Sequence, residues 1–243
     1  MEERNEIYRR ALDLLDQSGL PYLVGGAYAL RAYADVFRDT KDLDLFVLPR
    51  DSRAALKIFS QSGFVTVLTA SYWLAKASSS DYRVDLIFSS KNGLCVVDDD
   101  WFRFSETSRL LERPVRLVPV EEMIWSKAFV MERERFDGAD VAHLIRARAE
   151  TIDWDRLLGR FGDHWPILLV HLILFDYIYP GESPRIPRRV RNELSKRFRK
   201  DAQAVEKLCR GPLLAHLQYL PDIQRWGYHD ARLDHLTTGE ISE

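Results

Sequence analysis

A change of hydrophobic period near Pro119 divides this chain into two unlike halves. Before it, short apolar runs at 22–24, 43–48, 64–68, 71–77, 82–88 and 115–118 alternate with turn residues, a pattern that predicts strands. Helical spacing is limited there to residues 5–17 and 27–34 and a segment after Asp51, which is placed to act as its N-cap. Beyond Pro119 the segments 120–135, 138–149, 153–160, 165–178, 187–199 and 201–209 all carry a helical pattern. The expected class is α+β: a mixed β-sheet with flanking helices over 1–118, and a helical bundle over 119–243.

Composition narrows the function classes. In 243 residues, 46% are apolar and 30% charged, enough for a packed core and a solvated surface. A formal net charge of -2 excludes a chain built throughout as a polycation for nucleic acid. Two cysteines, Cys95 and Cys209, cannot make a disulfide framework or a Cys-rich zinc site, so a reducing cytoplasmic setting is expected. The opening residues carry acids and no apolar stretch, unlike a signal peptide, and the apolar run Pro166–Phe175 is too short for a membrane span.

The chemistry concentrates between residues 23 and 85. In Asp42-Leu43-Asp44-Leu45-Phe46-Val47, strand alternation sends Leu43, Leu45 and Val47 to the core and projects Asp42 and Asp44 together. Paired hard oxygen donors suit Mg²⁺, although an isolated pair also fits a solvated strand edge. Gly25-Gly26 sits between a strand and a helix, where small residues let backbone N–H groups approach a phosphate or simply make a tight turn. Asp85 interrupts a second apolar strand, as either a surface residue or a third carboxylate. Two-metal sites of this composition stabilise both attacking and leaving oxygens of an in-line displacement.

The glycine pair, the Asp-x-Asp strand and the later single aspartate resemble the polymerase-β-like nucleotidyltransferases. The stretch Arg38-Asp39-Thr40-Lys41-Asp42-Leu43-Asp44 is similar to small bacterial members, among them aminoglycoside and toxin–antitoxin nucleotidyltransferases. The resemblance spans about residues 20–90. It implies that Asp42, Asp44 and Asp85 hold two Mg²⁺ ions, with Asp85 also assisting deprotonation of an acceptor hydroxyl. It further implies that Gly25 and Gly26 lie against nucleotide phosphates, which Thr40 and Lys41 help to orient. The activity implied is transfer of a nucleoside monophosphate, in all expectation adenylyl from ATP, to a hydroxyl of a small molecule or RNA with release of pyrophosphate. A nucleotide-binding or non-catalytic antitoxin or regulatory module, working through a protein partner, is the alternative. Most such motifs have Gly-Ser where this chain has Gly25-Gly26, which implies that the grip on phosphate depends more on side chains from the second half.

Lys127 falls within an apolar stripe formed by Val120, Met123, Ile124, Val130 and Met131, so it either snorkels outward or faces nucleotide phosphates. Asp137 reads as an N-cap and Asp140 as a first-turn acid; His143 could pair with Asp140, and His171 sits among core residues. Residues 185–210 hold ten cations against Glu193, Asp201 and Glu206, a net charge of +7. Such a run is a solvated helix face or a surface for RNA or an acidic protein. The Arg210–His216 spacing known from some RNases is interrupted by Gly211-Pro212. There is no Walker motif, no nucleophile elbow and no dinucleotide fingerprint.

Overall fold

The computed structural model describes residues 2–200 and 207–236. The chain divides into two compact units, Met1–Pro119 with the end of the chain from Leu236, and Val120–His235. Leu236 lies where a side chain on Gly93 would project, at a backbone φ of +78° that favours glycine.

The first unit is built from α1 (Glu2–Ser18), β1 (Leu23–Val24), α2 (Gly26–Ala34), β2 (Asp42–Phe46), α3 (Ser52–Gln61), β3 (Val65–Ala70), β4 (Leu74–Ser79), β5 (Tyr82–Ile87), α4 (Asp99–Arg103), β6 (Glu106–Leu110) and β7 (Arg113–Leu117). Its seven strands form one sheet in the order β3-β4-β5-β2-β1-β7-β6. The sheet is mixed: β2 runs parallel to β5 and β1 to β7, and the other pairings are antiparallel. Helices α1 and α3 contact one another and β5, and α3 also contacts β3 and β4. Leu43, Leu45, Val84 and Leu86 are fully buried, so alternate positions of the two central strands enter the core as their pattern requires. Two elements had no signal in the pattern. β6 is Glu-Thr-Ser-Arg-Leu, an edge strand held by pairing to β7 and not by its own apolar content. The five-residue α4 is set by Asp98, whose carboxylate accepts from the N–H groups of Asp100 and Trp101. Asp51 does occupy the N-cap position of α3, but its side chain makes no capping bond; a 3₁₀ turn at Pro49–Asp51 leads into the helix instead.

The second unit contains α5 (Val120–Ala128), α6 (Gly138–Arg148), α7 (Trp154–Phe161), α8 (Trp165–Ile178) and α9 (Arg188–Arg199). Helix α5 contacts α6, α7 and α8, and α8 contacts α9. Its first helix ends at Ala128, not at 135. Residues beyond it fold back, with a Met131–Phe136 bridge and the Asp137 N–H donating to Val130 O. The expected helix over 201–209 falls partly outside the described residues; Leu208–Cys209 is a strand, β8, paired parallel to β9 (His229–Asp230). Among the described residues no helix is long and apolar enough to cross a membrane.

His171 on α8 is buried, with its Nε2 2.9 Å from Ala128 O, a neutral ring donating to the carbonyl. Burial holds its pKa below the ordinary histidine value, and the carbonyl only partly opposes this. A depressed folded-state value means that the unfolded chain takes up the proton first as pH falls. His171 therefore contributes stability that is present above about pH 6.5 and is lost as pH drops through the folded value. The melting temperature should fall on acidification below neutrality, and His171→Gln should flatten that fall. An unchanged slope in the variant would remove His171 as its source.

Candidate active site

The site is assembled by strand register. Across the parallel pair β2–β5, Asp42 lies opposite Arg83, Asp44 opposite Asp85 and Phe46 opposite Ile87. Across the antiparallel pair β5–β4, Asp85 lies opposite Lys76 and Arg83 opposite Ser78. Directly paired residues share a face, so Lys76, Asp85 and Asp44 form one row across the sheet, and Ser78, Arg83 and Asp42 form the next. The opposite face is the buried one of Leu43, Leu45, Val84 and Leu86.

The glycine turn lies against the same face. The Gly25 N–H donates to Asp44 O at 2.9 Å, and a Cβ on Gly25 would stand 2.3 Å from the Phe46 ring. Gly26 has a φ of +54°, and a Cβ there would fall 1.6 Å from Asp44 Oδ2. Both backbone conformation and space therefore demand glycine at 26. This gives a physical reason for Gly-Gly in place of Gly-Ser: a side chain at 26 would occupy the position of the Asp44 carboxylate. Gly25 caps α2 without any side-chain bond, so the first N–H groups of the helix have no side-chain cap.

Each carboxylate has its own surroundings. Arg83 Nε donates to Asp42 Oδ1 at 2.7 Å, and Lys76 Nζ stands 4.0 Å from Asp85 Oδ2. Asp85 Oδ1 is buried with no hydrogen-bond partner among the described residues. Burial raises the Asp85 pKa above the usual carboxylate range; Lys76 opposes the rise and Asp42 adds to it. Tyr8 on α1 is fully buried, and burial first, then the nearby Tyr28 and Asp42, push its phenol far above the ordinary value. Register brings the three aspartate positions to one face, but the side chains do not close on a single point. Among the described residues, no three His, Cys, Asp or Glu side chains are gathered so as to hold a metal ion. The cations are the physical reason at two of the positions: Arg83 draws Asp42, and Lys76 faces Asp85.

The approach to β2 is latched locally. Thr40 Oγ1 accepts from the Asp42 N–H at 3.1 Å, an arrangement that fixes the entry to the strand, and the Arg4 guanidinium bonds both Asp39 and Thr40 O. Lys41 is exposed, and its carbonyl accepts from the Arg83 N–H. Arg4, Lys76 and Arg83 were not singled out by sequence. Lys76 was recoverable: a turn at Ser80-Asp81 pairs Ser79 with Tyr82, and counting back places Lys76 opposite Asp85.

Lys127 belongs to the second unit and does not snorkel. Its ammonium donates to Asp137 Oδ2 at 3.0 Å and to Asp140 Oδ2 at 2.8 Å. Asp137 stands at the N-cap of α6 without making a capping bond, because its carboxylate is engaged by Lys127 and Arg135. Burial alone would raise its pKa, but the hydrogen bonds from Arg135 and the charge of Lys127 outweigh it and hold the group below the ordinary range.

No protein-family model matches the chain, and no curated protein matches it. Solved structures do. The antibiotic-resistance factor ANT(2″)-Ia is similar at 18% identity and a TM-score of 0.49, over 70% of this chain and 97% of that one. An antigenic nucleotidyltransferase-like protein from Paracoccidioides brasiliensis is similar at 16% identity and a TM-score of 0.49, over 76% of this chain and 92% of that one. The lincosamide antibiotic adenylyltransferase LnuA is similar at 13% identity and a TM-score of 0.42, over 58% of this chain and 95% of that one.

Proposed function

We propose that this chain is a nucleotidyltransferase that moves a nucleoside monophosphate from a nucleoside triphosphate, ATP in the first instance, to an acceptor hydroxyl. The observation that carries the reading is the row of Asp44 and Asp85 in direct register, with Asp42 two residues away on the same face and the Gly25-Gly26 turn against Asp44. Carboxylate oxygens are donors of the kind that divalent cations such as Mg²⁺ take, and the Arg83–Asp42 and Lys76–Asp85 pairs would have to open for the three to share such ions. Asp42, Asp44 and Asp85 would hold these cations. Charge on the triphosphate and on the leaving pyrophosphate would be neutralised by ions held there.

The chain's own groups supply positioning. The uncapped N–H groups at the start of α2 are suited to phosphate oxygens, because a helix N-terminus carries both free donors and partial positive charge. Thr40 holds the start of β2 so that Asp42 and Asp44 project from a fixed backbone. Lys41 is free to extend towards the triphosphate. Asp85 would assist in taking the proton from the acceptor hydroxyl. Lys127, with its charge met by Asp137 and Asp140, is not assigned to the nucleotide.

The test is incubation of the full chain with each α-labelled nucleoside triphosphate, Mg²⁺, and in parallel a panel of aminoglycosides and total RNA. Label should move to an acceptor with equimolar pyrophosphate. Absence of transfer to either acceptor class, together with a stable complex with another protein, would favour the non-catalytic module.

A further inference from the structure

The seven-stranded sheet has two edges, and they are built differently. β6 carries exposed Glu106, Thr107 and Arg109, the charged and polar kind of edge that resists pairing with another chain. β3 is Val-Thr-Val-Leu-Thr-Ala and carries no charge. Nor does the sequence around it: from Ile58 to Ala75, eighteen consecutive residues include no Asp, Glu, Lys or Arg, in a chain that is 30% charged. β3 pairs only with β4, so the N–H and C=O groups along its outer side have no backbone partner among the described residues. Its side chains are apolar and turned to solvent: Val65 is 71% exposed and Val67 55%. Val67 lies opposite Lys76 and Val65 opposite Ser78, so both valines stand on the face of the sheet that carries Asp85.

Unpaired backbone groups select the class of occupant, because another strand satisfies donors and acceptors along such an edge together. The missing charge selects which strand. A partner recognised by charge finds nothing here to pair with, whereas a second β3 can lie antiparallel to the first with no like charges opposed. Closure points the same way. β3 against β6 of another copy would set Glu106 and Arg109 beside an uncharged strand and leave edges open to endless growth, while a twofold axis ends at two copies. Antiparallel strands related by a twofold keep their faces, so each residue meets one from its own face. The ladder to β4 shifts register between Leu68 and Ala70, and centring the pair on Thr66 keeps Thr69 out of it. Val65 then stands opposite Val67 of the partner subunit, and Val67 opposite the partner's Val65, which gathers four exposed valines into one cluster.

We propose that β3 is a dimer interface, pairing antiparallel with β3 of a second copy about Thr66 to make one continuous sheet. The surface lies wholly within the first unit and does not depend on the activity proposed above. Sedimentation velocity of the full chain should show a dimer that dissociates on dilution through the micromolar range. Val65→Lys combined with Val67→Lys sets four ammonium groups where the valines meet, and should raise the dissociation constant about a hundredfold or more. Val65→Lys combined with Val67→Glu changes the same two exposed positions but opposes each lysine to a glutamate across the twofold. That variant should dimerise about tenfold more tightly than the double lysine variant, which also shows that charge at these positions leaves the fold intact. A monomer at every concentration up to about 0.1 mM overturns the proposal and leaves the edge to a strand of another protein. A dimer that persists unchanged in the double lysine variant overturns it too, since the contact then lies elsewhere. Equal weakening in the two variants overturns the pairing about Thr66.

Discussion

Asp44→Asn should lower nucleotidyl transfer by about a thousandfold or more while leaving the fold intact, because removing one anionic donor forfeits several kcal/mol of charge stabilisation in the transition state. Asp44 is the member of the trio whose environment is most fully specified. It lies beside Asp85 in register, its backbone carbonyl receives the Gly25 N–H, and its carboxylate takes the volume that a side chain at Gly26 would fill. Asparagine keeps that shape and loses the charge. The loss should appear in kcat at saturating nucleotide and acceptor, with an unchanged melting temperature in the absence of ligand. A variant that retains transfer within a few-fold would show that the carboxylate is structural.

The largest effect on stability is expected in the second unit. Glu122 on α5 is fully buried and receives Arg156 and Arg160 from α7, the latter at 2.9 Å. Its neighbour Glu121, also buried, bonds Arg156 and accepts from the Asp153 N–H at 2.7 Å, immediately before α7 begins. Arg160 in turn lies over the Trp125 ring at 5.5 Å. Two helices are thus registered by a buried ionic network. Deleting one member leaves charges buried without compensation, so Glu122→Ala should cost about 3–5 kcal/mol in chemical denaturation. Glu122→Gln, which preserves hydrogen-bond acceptance by its amide oxygen, should cost less. A loss below about 1 kcal/mol for the alanine variant would mean that water reaches the arginines and the network is not a buried one.

Period and turn chemistry made much of this architecture legible. The Asp42–Val47 alternation put the correct residues in the core, and the apolar runs at 71–77 and 82–88 marked the two strands of the adjoining hairpin. What eluded sequence was decided by tertiary partners. The strand Glu106–Leu110 has no apolar alternation and exists because β7 supplies its hydrogen bonds. Residues 129–136 have ample helix formers, yet the chain folds back there and brings Asp137 to Lys127. At the site, the residue types were readable, but the strand order and the counter-charges were not. That Arg83 binds Asp42, and that Lys76 faces Asp85, follow from cross-strand register, which a linear pattern gives only when the turn is counted through.

The account rests on carboxylates of β2 and β5 acting together on a metal-bound triphosphate. The most direct measurement is the melting temperature of the full chain with Mg²⁺ and a nonhydrolysable nucleoside triphosphate at millimolar concentration, for the native sequence and for Asp44→Asn. A ligand that binds only the folded state must stabilise it. The native protein should therefore melt several degrees higher with both components present, with neither alone giving the full shift, and Asp44→Asn should show no shift. An absent shift in the native protein, or an equal shift in the variant, would contradict the assignment.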